Sequence, residues 1–376
     1  MNLSFPIHVR GCEIDMSENS RPDALTQAYR IIRRYGDDSQ HCLCLNNENR
    51  FFFGTKVCGV IPYTLSRGKI MSQGDPACRQ ENIDQLLDEY LDFCGQNGYR
   101  PVFNSVSASI AGLLRQKGIR VLKYGEEAIL DLENYSLSGG KKGALRRNTA
   151  KLNRAGVTLE EYRPEETRDI PLEREIAALE EQWFAGKKLK LTYSIGDLHF
   201  EEPYGRRYFI TRDSESNLQT VLSFLPYRKG KGYCVDVMYR RPDGLTGAME
   251  HAIISAAMKM KEDGVEEVSL NIAPLAGIDV AKPDTNWVER LMYAIYQNMD
   301  FGYDFKNLYR FKSKFGPTTW KMRYLAYDHR IPLVNLALSI TNTKGVRNLR
   351  FYLRYARFFV SLFLYPERFR ERQNKH

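Results

Sequence analysis

Apolar residues recur along this chain at two spacings, and the spacing switches several times. Over residues 21–35, Leu25, Ala28, Ile31 and Ile32 fall at helical intervals and predict a helix. Short alternating stretches at 42–45, 51–53 and 56–63, separated by Asn46, Asn47 and Gly54, predict a meander of strands. Residues 83–97 read as a helix closed by Gly98, 101–106 as a strand, 108–117 as a helix before Gly118, and 120–132 as a strand. A comparable order returns later. Strands are predicted at 208–211, 218–226 and 233–239, then a helix over 247–263 stopped by Gly264 and a strand at 268–272. A helix over 287–299 before Phe301-Gly302 and a strand at 325–327 complete the run. Each half thus reads as hairpin strands, helix, strand, helix, strand. The pattern is that of an α/β (α+β) chain built by structural duplication, with no short sequence repeat.

The 376 residues are long for one domain, and two of ordinary size are expected. A hydrophobic share of 43% with 27% charged residues excludes a disordered or fibrous chain. No stretch reaches the 18 apolar residues or so that a membrane-crossing helix needs, and the start of the chain shows no signal-peptide pattern. The seven cysteines are scattered, and Cys42-Leu-Cys44 has no second pair or histidine at metal spacing. They are expected to be reduced, buried thiols in a cytosolic protein, with no metal site.

Lysine and arginine outnumber acidic residues 55 to 46, which favours anionic partners. Two segments concentrate the excess. Residues 139–154 carry Lys141, Lys142, Arg146, Arg147, Lys151 and Arg154 and no acidic residue. Arg147, Lys151 and Arg154 share one helical face, so the segment reads as an anion-binding helix or as a solvated linker. From Lys344 onward nine basic residues are interleaved with Phe351, Tyr352, Phe358, Phe359 and Phe363. That composition suits a helix lying in an anionic membrane interface, or a terminal helix packed on the domain.

The chain has no P-loop, nucleophile elbow or H-E-x-x-H motif, and its six histidines show no ligand spacing. The chemistry left is direct transfer from an activated donor to a positioned acceptor. That needs orientation, a group to take the acceptor's proton and positive charge for the oxyanion. Asp236 sits inside the apolar run 233–238, where an unpaired carboxylate is costly, so it is a candidate for a functional group. Arg310, Lys312 and Lys314 alternate. On an extended segment they point to one side, where they would grip phosphate or an oxyanion.

At these residues the chain resembles a known family. Asp-Val-Met-Tyr-Arg-Arg-Pro-Asp-Gly with Gly-Ala-Met-Glu (236–250), Leu-Asn-Ile-Ala-Pro-Leu-Ala-Gly (270–277) and the run 308–327 are similar to the catalytic domain of bacterial aminoacyl-phosphatidylglycerol synthases. Gly-Asp-Pro (74–76), Tyr-Gly-Glu-Glu-Ala-Ile-Leu-Asp-Leu (124–132) and Lys-Lys-Gly-Ala-Leu-Arg-Arg-Asn (141–148) extend the resemblance into the first half. It implies tandem Gcn5-related N-acetyltransferase (GNAT)-like folds at 1–138 and 157–330, a basic connecting helix at 139–156 and a basic-aromatic tail at 331–376. It implies transfer of an amino acid, lysine or alanine, from aminoacyl-tRNA to the hydroxyl of phosphatidylglycerol or a related lipid. No cofactor beyond the aminoacyl-tRNA co-substrate is implied, and the place of action is the inner face of the cell membrane. The catalytic set it implies is Asp236, Glu250, Arg310, Lys312 and Lys314. Tyr239, Arg240, Arg241 and Asp304 would form the substrate pocket, Tyr239 standing where the family usually has arginine. The six basic residues of 139–154 would hold tRNA. An acyl-CoA-dependent N-acyltransferase and a non-catalytic tRNA- or membrane-binding protein are the alternatives. Against the first, no glycine-rich pyrophosphate loop opens a helix.

Overall fold

The computed structural model describes residues 23–46, 48–185, 198–278, 289–290, 292–293, 305–333, 335–336 and 339–340. In chain order the elements begin with α1 (Ala24–Tyr35), a 3-10 turn (His41–Cys44), β1 (Arg50–Phe53), β2 (Gly59–Ser66), β3 (Lys69–Gln73) and β4 (Ala77–Cys78). Then come α2 (Ile83–Gln96), β5 (Arg100–Val106), α3 (Ala108–Gln116), β6 (Arg120–Asp131), α4 (Gly143–Arg154), β7 (Thr158–Tyr162) and α5 (Ile170–Ala185). The second half continues with β8 (Arg207–Arg212), β9 (Leu218–Tyr227), β10 (Gly232–Arg240), α6 (Ala248–Glu262), β11 (Glu267–Pro274), α7 (Phe305–Ser313) and β12 (Thr319–Tyr327).

All strands join one sheet in the order β1-β2-β3-β5-β12-β6-β11-β10-β9-β8-β7, with β4 paired to β2. The parallel pairs are β3 with β5 and β10 with β11, each bridged by a crossover helix (α2 and α6). The last strands of the two halves have changed places: β12 lies against β5 of the first half, and β6 lies against β11 of the second. The exchanged strands also pair with each other along almost their whole length. The segments expected as two domains therefore share one ladder.

Alternation sorts the side chains into layers. Phe209, Leu222, Phe224, Val235, Val268 and Leu270 pack on α6. Their strand neighbours Tyr208, Ile210, Val221 and Val237 pack on the opposite face under α5. There α1 also lies, its buried stripe of Leu25, Ala28, Ile31 and Ile32 set against Leu225, Val60 and Ala77.

The structure corrects the sequence reading in three places. Residues 41–44 form a buried 3-10 turn and no strand, because His41 is tied by its ring to the backbone of Asp38 and Asp75. The run from Leu308 is helical through Ser313, because Leu308, Phe311 and Phe315 recur at three and four residues and the last two join the α6 core. Cys58 is disulfide-bonded to a partner outside the described residues, whereas Cys42, Cys44, Cys78, Cys94 and Cys234 are free and buried as expected. Strands β3 and β7 and helix α5 add to the elements that the apolar spacing predicts. The helix expected over 287–299 and the basic tail lie largely outside the described residues.

A buried charge cluster locks the exchanged strands. Arg323 of β12 donates from Nε (2.8 Å) and Nη2 (2.5 Å) to one oxygen of Glu127 of β6, and from Nη2 to Asp38 at 2.6 Å. The second Glu127 oxygen accepts from the hydroxyls of Ser39 and Ser269. Glu127 is 0% and Arg323 5% exposed. Burial pushes the Asp38 carboxyl up, but the Arg323 guanidinium and His41 outweigh it and hold it below the ordinary value. Removing one member leaves the others charged and unpaired in the interior. Arg323→Ala is expected to cost about 3–5 kcal/mol, read as a lowered urea midpoint, with both halves unfolding in one transition. Two separated transitions would show that the shared ladder does not couple them.

Candidate active site

The parallel pair β10–β11 holds only over Gly232–Cys234 against Glu267–Ser269. Just beyond, both strands are irregular. The β10 register slips against β9 between Val235 and Met238, and the β11 register against β6 between Ser269 and Ile272. Asn271 takes a left-handed φ of 65° there, which a β-branched residue would tolerate poorly. Its Nδ2 donates across the parting to the Val235 carbonyl at 3.3 Å, and its backbone N–H is held by Ser269 Oγ at 3.0 Å. On β10, the Val237 N–H donates to Ser223 Oγ at 3.1 Å. Paired bulges thus open the sheet in a place that side-chain hydrogen bonds define.

Asp236 sits inside the β10 bulge and is 6% exposed. It lies within electrostatic reach of Tyr208 and Cys234, whose side chains point away from α6. Lys312 of α7 comes to the same neighbourhood. Its ammonium donates to the Ile272 carbonyl at 2.6 Å and interacts with Cys234 and Glu127. Lys312 is 3% exposed, and burial pushes its amine down to about 7 against the pull of those two groups. A carboxylate and an amine that titrates near neutrality at a parting of strands can bind an ammonium and relay a proton.

The other candidates are distributed elsewhere. Because 305–313 is helical, Arg310 and Lys314 do not follow Lys312 inward: both are exposed, and Lys314 pairs with Glu250 in the first turn of α6 at 2.8 Å. Tyr239 is buried under α5, where its hydroxyl donates to Glu180 at 2.9 Å and its ring packs edge-on against Phe184. Arg240 is half-buried. Arg241 pairs with Asp243 at 3.0 Å in the turn after β10. Asp304 lies outside the described residues.

The basic segment is the helix α4, docked on α6. Leu145 and Leu152 are buried. Asn148 Nδ2 donates to the Gly247 carbonyl at 3.1 Å, and Asn153 meets the buried His251 ring at 2.6 Å. Gly247 has a φ of 83°, and a Cβ there would stand 2.1 Å from Asn148 Nδ2, so only glycine fits the contact. This docking turns Arg147, Lys151 and Arg154 to solvent with no ion pair among the described residues. Arg146 is also exposed but spends its guanidinium on the Leu137 and Gly139 carbonyls. Lys142 lies over the Tyr135 ring and bonds the Ser136 carbonyl at 2.8 Å. The Lys141 side chain lies outside the described ones.

Sequence reasoning missed Glu127, Asn271 and Arg323. Glu127 and Asn271 each interrupt an apolar strand, the signal that singled out Asp236, and the same test finds them.

A family model described as phosphatidylglycerol lysyltransferase, C-terminal, matches residues 29–327. This chain belongs to that family. The phosphatidylglycerol lysyltransferase of Bacillus subtilis is 27% identical over 329 residues, which are 87% of this chain and 37% of that protein. The Staphylococcus xylosus enzyme of the same name is 24% identical over 315 residues, 83% of this chain and 36% of its own length. The chain therefore spans a little over a third of these relatives. Among solved structures, L-PGS from Bacillus licheniformis superposes with a TM-score of 0.75 at 24% identity, covering 86% of this chain and 97% of that one. The C-terminal domain of a putative lysylphosphatidylglycerol synthetase from Agrobacterium fabrum gives 0.71 at 22% identity, covering 87% and 98%. The mixed α/β fold expected from the resemblance is the one these family structures share.

Lys312 makes a pH-dependent contribution with a definite sign. Its amine titrates near 7 when folded and near 10.5 when unfolded. Between those values the unfolded chain holds the extra proton, so stability rises with pH by up to about 1.4 kcal/mol per unit. Denaturant titrations from pH 7.5 to 9 should show the wild type gaining on Lys312→Met at about that slope. Parallel curves would rule the buried, neutral lysine out.

Proposed function

We propose that this chain transfers the amino acid of an aminoacyl-tRNA to a hydroxyl of phosphatidylglycerol or a related lipid, working peripherally at the inner face of the membrane. The observation that carries the reading is that Asp236 and Lys312 both come within electrostatic reach of Cys234 where β10 and β11 part, in a chain of the phosphatidylglycerol lysyltransferase C-terminal family. The names of the relatives supply the lipid and support lysine as the amino acid. No helix among the described residues is long and apolar enough to cross a membrane, so these residues would meet lipid from the surface.

In this mechanism the lipid hydroxyl attacks the aminoacyl ester carbonyl. A new carbon–oxygen bond forms, and the bond to the terminal ribose oxygen of tRNA breaks. The hydroxyl proton leaves through a nearby base and returns to the ribose oxygen. Neutral Lys312 is suited to take and give it back, and Asp236 to hold the aminoacyl ammonium so that the carbonyl faces the acceptor. The reaction needs no cofactor beyond the activated ester. Glu250 and Lys314, on the α6 side, border the approach of the donor.

The exposed face of α4 suits the tRNA backbone, because Arg147, Lys151 and Arg154 have no acidic partner among the described residues and stand about one helical turn apart. Asp236→Ala should lower the yield of aminoacylated lipid from charged tRNA by about 10²–10⁴-fold, measured by mass spectrometry of extracted lipids. Undiminished transfer by the folded variant would remove Asp236 from the mechanism. Replacing Arg147, Lys151 and Arg154 by alanine should weaken tRNA binding. It should also flatten the salt dependence, with a slope shallower by about 0.7–0.9 for each phosphate no longer neutralised. A slope equal to the wild type's in filter-binding titrations would place the tRNA elsewhere.

A further inference from the structure

Neighbouring arginines at the start of β8 meet opposite fates. Arg207 is held by both oxygens of Glu161, at 2.6 and 2.8 Å, and by Asp263 at 2.6 Å. Arg212, at the far end of the strand, is held by Glu175. Arg206 is 3% exposed and forms no ion pair among the described residues. Its Nη1 donates to the Pro203 carbonyl at 3.1 Å, and its buried Nε has no partner among them. A permanently charged guanidinium enclosed without an anion is among the most unfavourable arrangements a fold can hold. The chain also strains to make it. Tyr204 (φ 51°) and Gly205 (φ 74°) are both left-handed, turning the backbone so that the Arg206 N–H returns to the Pro203 carbonyl.

Strand alternation places the group. Arg207 lies over Phe209 on the α6 face, so Arg206 shares the opposite face with Tyr208 and Ile210. Tyr208 is within electrostatic reach of both Arg206 and Asp236, and Cys42 and the Tyr29 phenol are within reach of Arg206. Tyr29 also bonds the exposed Arg33 of α1, so a second guanidinium stands at the rim above the buried one. Of the acids around this corner, Glu202 and Asp23 act on Tyr204, whose hydroxyl Glu202 accepts at 2.5 Å, and Glu165 and Asp236 act on Tyr208; none forms an ion pair with Arg206.

We infer that Arg206, with Arg33 at the rim, forms an anion site that takes the phosphodiester of the acceptor lipid. The inference rests on the reading above for the identity of the acceptor. The unpaired Nε edge offers the two-pronged donor geometry that phosphate oxygens match. Arg206, just before β8, and Asp236 of β10 are two strands apart in the ladder, about 10 Å across it, and both act on the Tyr208 phenol. A glycerol hydroxyl and its own phosphate are separated by a few bonds, so a headgroup phosphate on Arg206 would present the hydroxyl toward Asp236. Helix α4 is docked on the other side, over α6, and its exposed basic face would take the RNA phosphates there, leaving Arg206 to the lipid.

The test uses the full chain, with dihexanoyl-phosphatidylglycerol and uncharged dihexanoylglycerol titrated by calorimetry into the wild type, Arg206→Gln and Arg206→Lys. The wild type should prefer the phosphatidylglycerol. Arg206→Gln should lose about tenfold or more of that affinity and none for the neutral lipid, with Arg206→Lys between. The unliganded Arg206→Gln protein should melt at or above the wild type, since an unpaired charge has been removed. Equal wild-type affinity for the two lipids, or unchanged phosphatidylglycerol affinity in folded Arg206→Gln, overturns the inference. So does a variant that melts well below the wild type and loses both lipids alike, because that is a structural role. A 5′-phosphorylated CCA trinucleotide whose binding falls instead of the lipid's would assign the site to RNA and overturn it as stated. Binding needs no turnover, so a wild type that binds but does not transfer would refute the proposed reaction alone.

Discussion

The Glu127–Arg323 pair is the constraint on which the rest of the molecule depends. Its two residues come from β6 and β12, the strands the halves have exchanged, and neither can be buried without the other. Asp38 joins from the segment after α1, and Ser269 from β11, so four distant parts of the chain meet on one buried charge cluster. The cluster continues into the candidate active site. Ser269 receives the N–H of Asn271, Asn271 bridges to Val235, and the next residue is Asp236. Three hydrogen-bonded steps separate a structural ion pair from the proposed substrate-binding carboxylate. The precision of the site is thus inherited from the lock that holds the sheet together.

The sheet also divides labour between its faces. On one side lie α6, the docked basic helix and the Glu250–Lys314 pair; on the other lie α1, α5, Tyr208 and Arg206. An intact ladder would separate these faces, since a hydrogen-bonded sheet is closed to side chains. The twin bulges at 235–238 and 269–272 interrupt it where Asp236 and Lys312 stand. In the proposed reaction, the polyanionic donor and the lipid acceptor would then bind on separate surfaces and still meet at one carbonyl.

Much of this was legible in the residues. Helix stops at Gly98, Gly118 and Gly264 and the alternating strands of both halves fall within a few residues of the observed boundaries, because local propensity and burial agree there. Asp236 was legible because a carboxylate in an apolar strand is anomalous whatever surrounds it. The failures have physical causes too. The alternation of Arg310, Lys312 and Lys314 suggested a strand, yet the apolar spacing of Leu308, Phe311 and Phe315 satisfies a helix, and tertiary packing chose the latter. Residues 41–44 have strand-like composition, but their position is set by the His41 ring bonding to Asp38 and Asp75, which no local pattern encodes. Arg206 carried no signal at all. In a basic chain one arginine among 55 lysines and arginines is unremarkable, and only its burial with no ion pair among the described residues makes it informative.

The duplication puts a matching opening in each half, and only the second holds the candidate site. The parallel pair β3–β5 of the first half also ends in a left-handed residue, Ser105 with φ 68°, matching Asn271 with φ 65° in β11. There, however, the parting is closed by the protein itself. Asp75 accepts the Ser107 N–H at 2.7 Å and gives its own N–H to Asp38 at 2.8 Å, and its carbonyl receives the His41 ring. Gln40 and Gln73 bond to each other, and Asn104 to Gln73. Burial and the neighbouring Asp38 push Asp75 up to about 7, the signature of an acid enclosed by the fold's own groups. The segment that fills this first parting, residues 38–41, is the same one that binds Arg323 and braces Asn271 through Gln40. One copy of the duplicated opening thus serves as the support for the other.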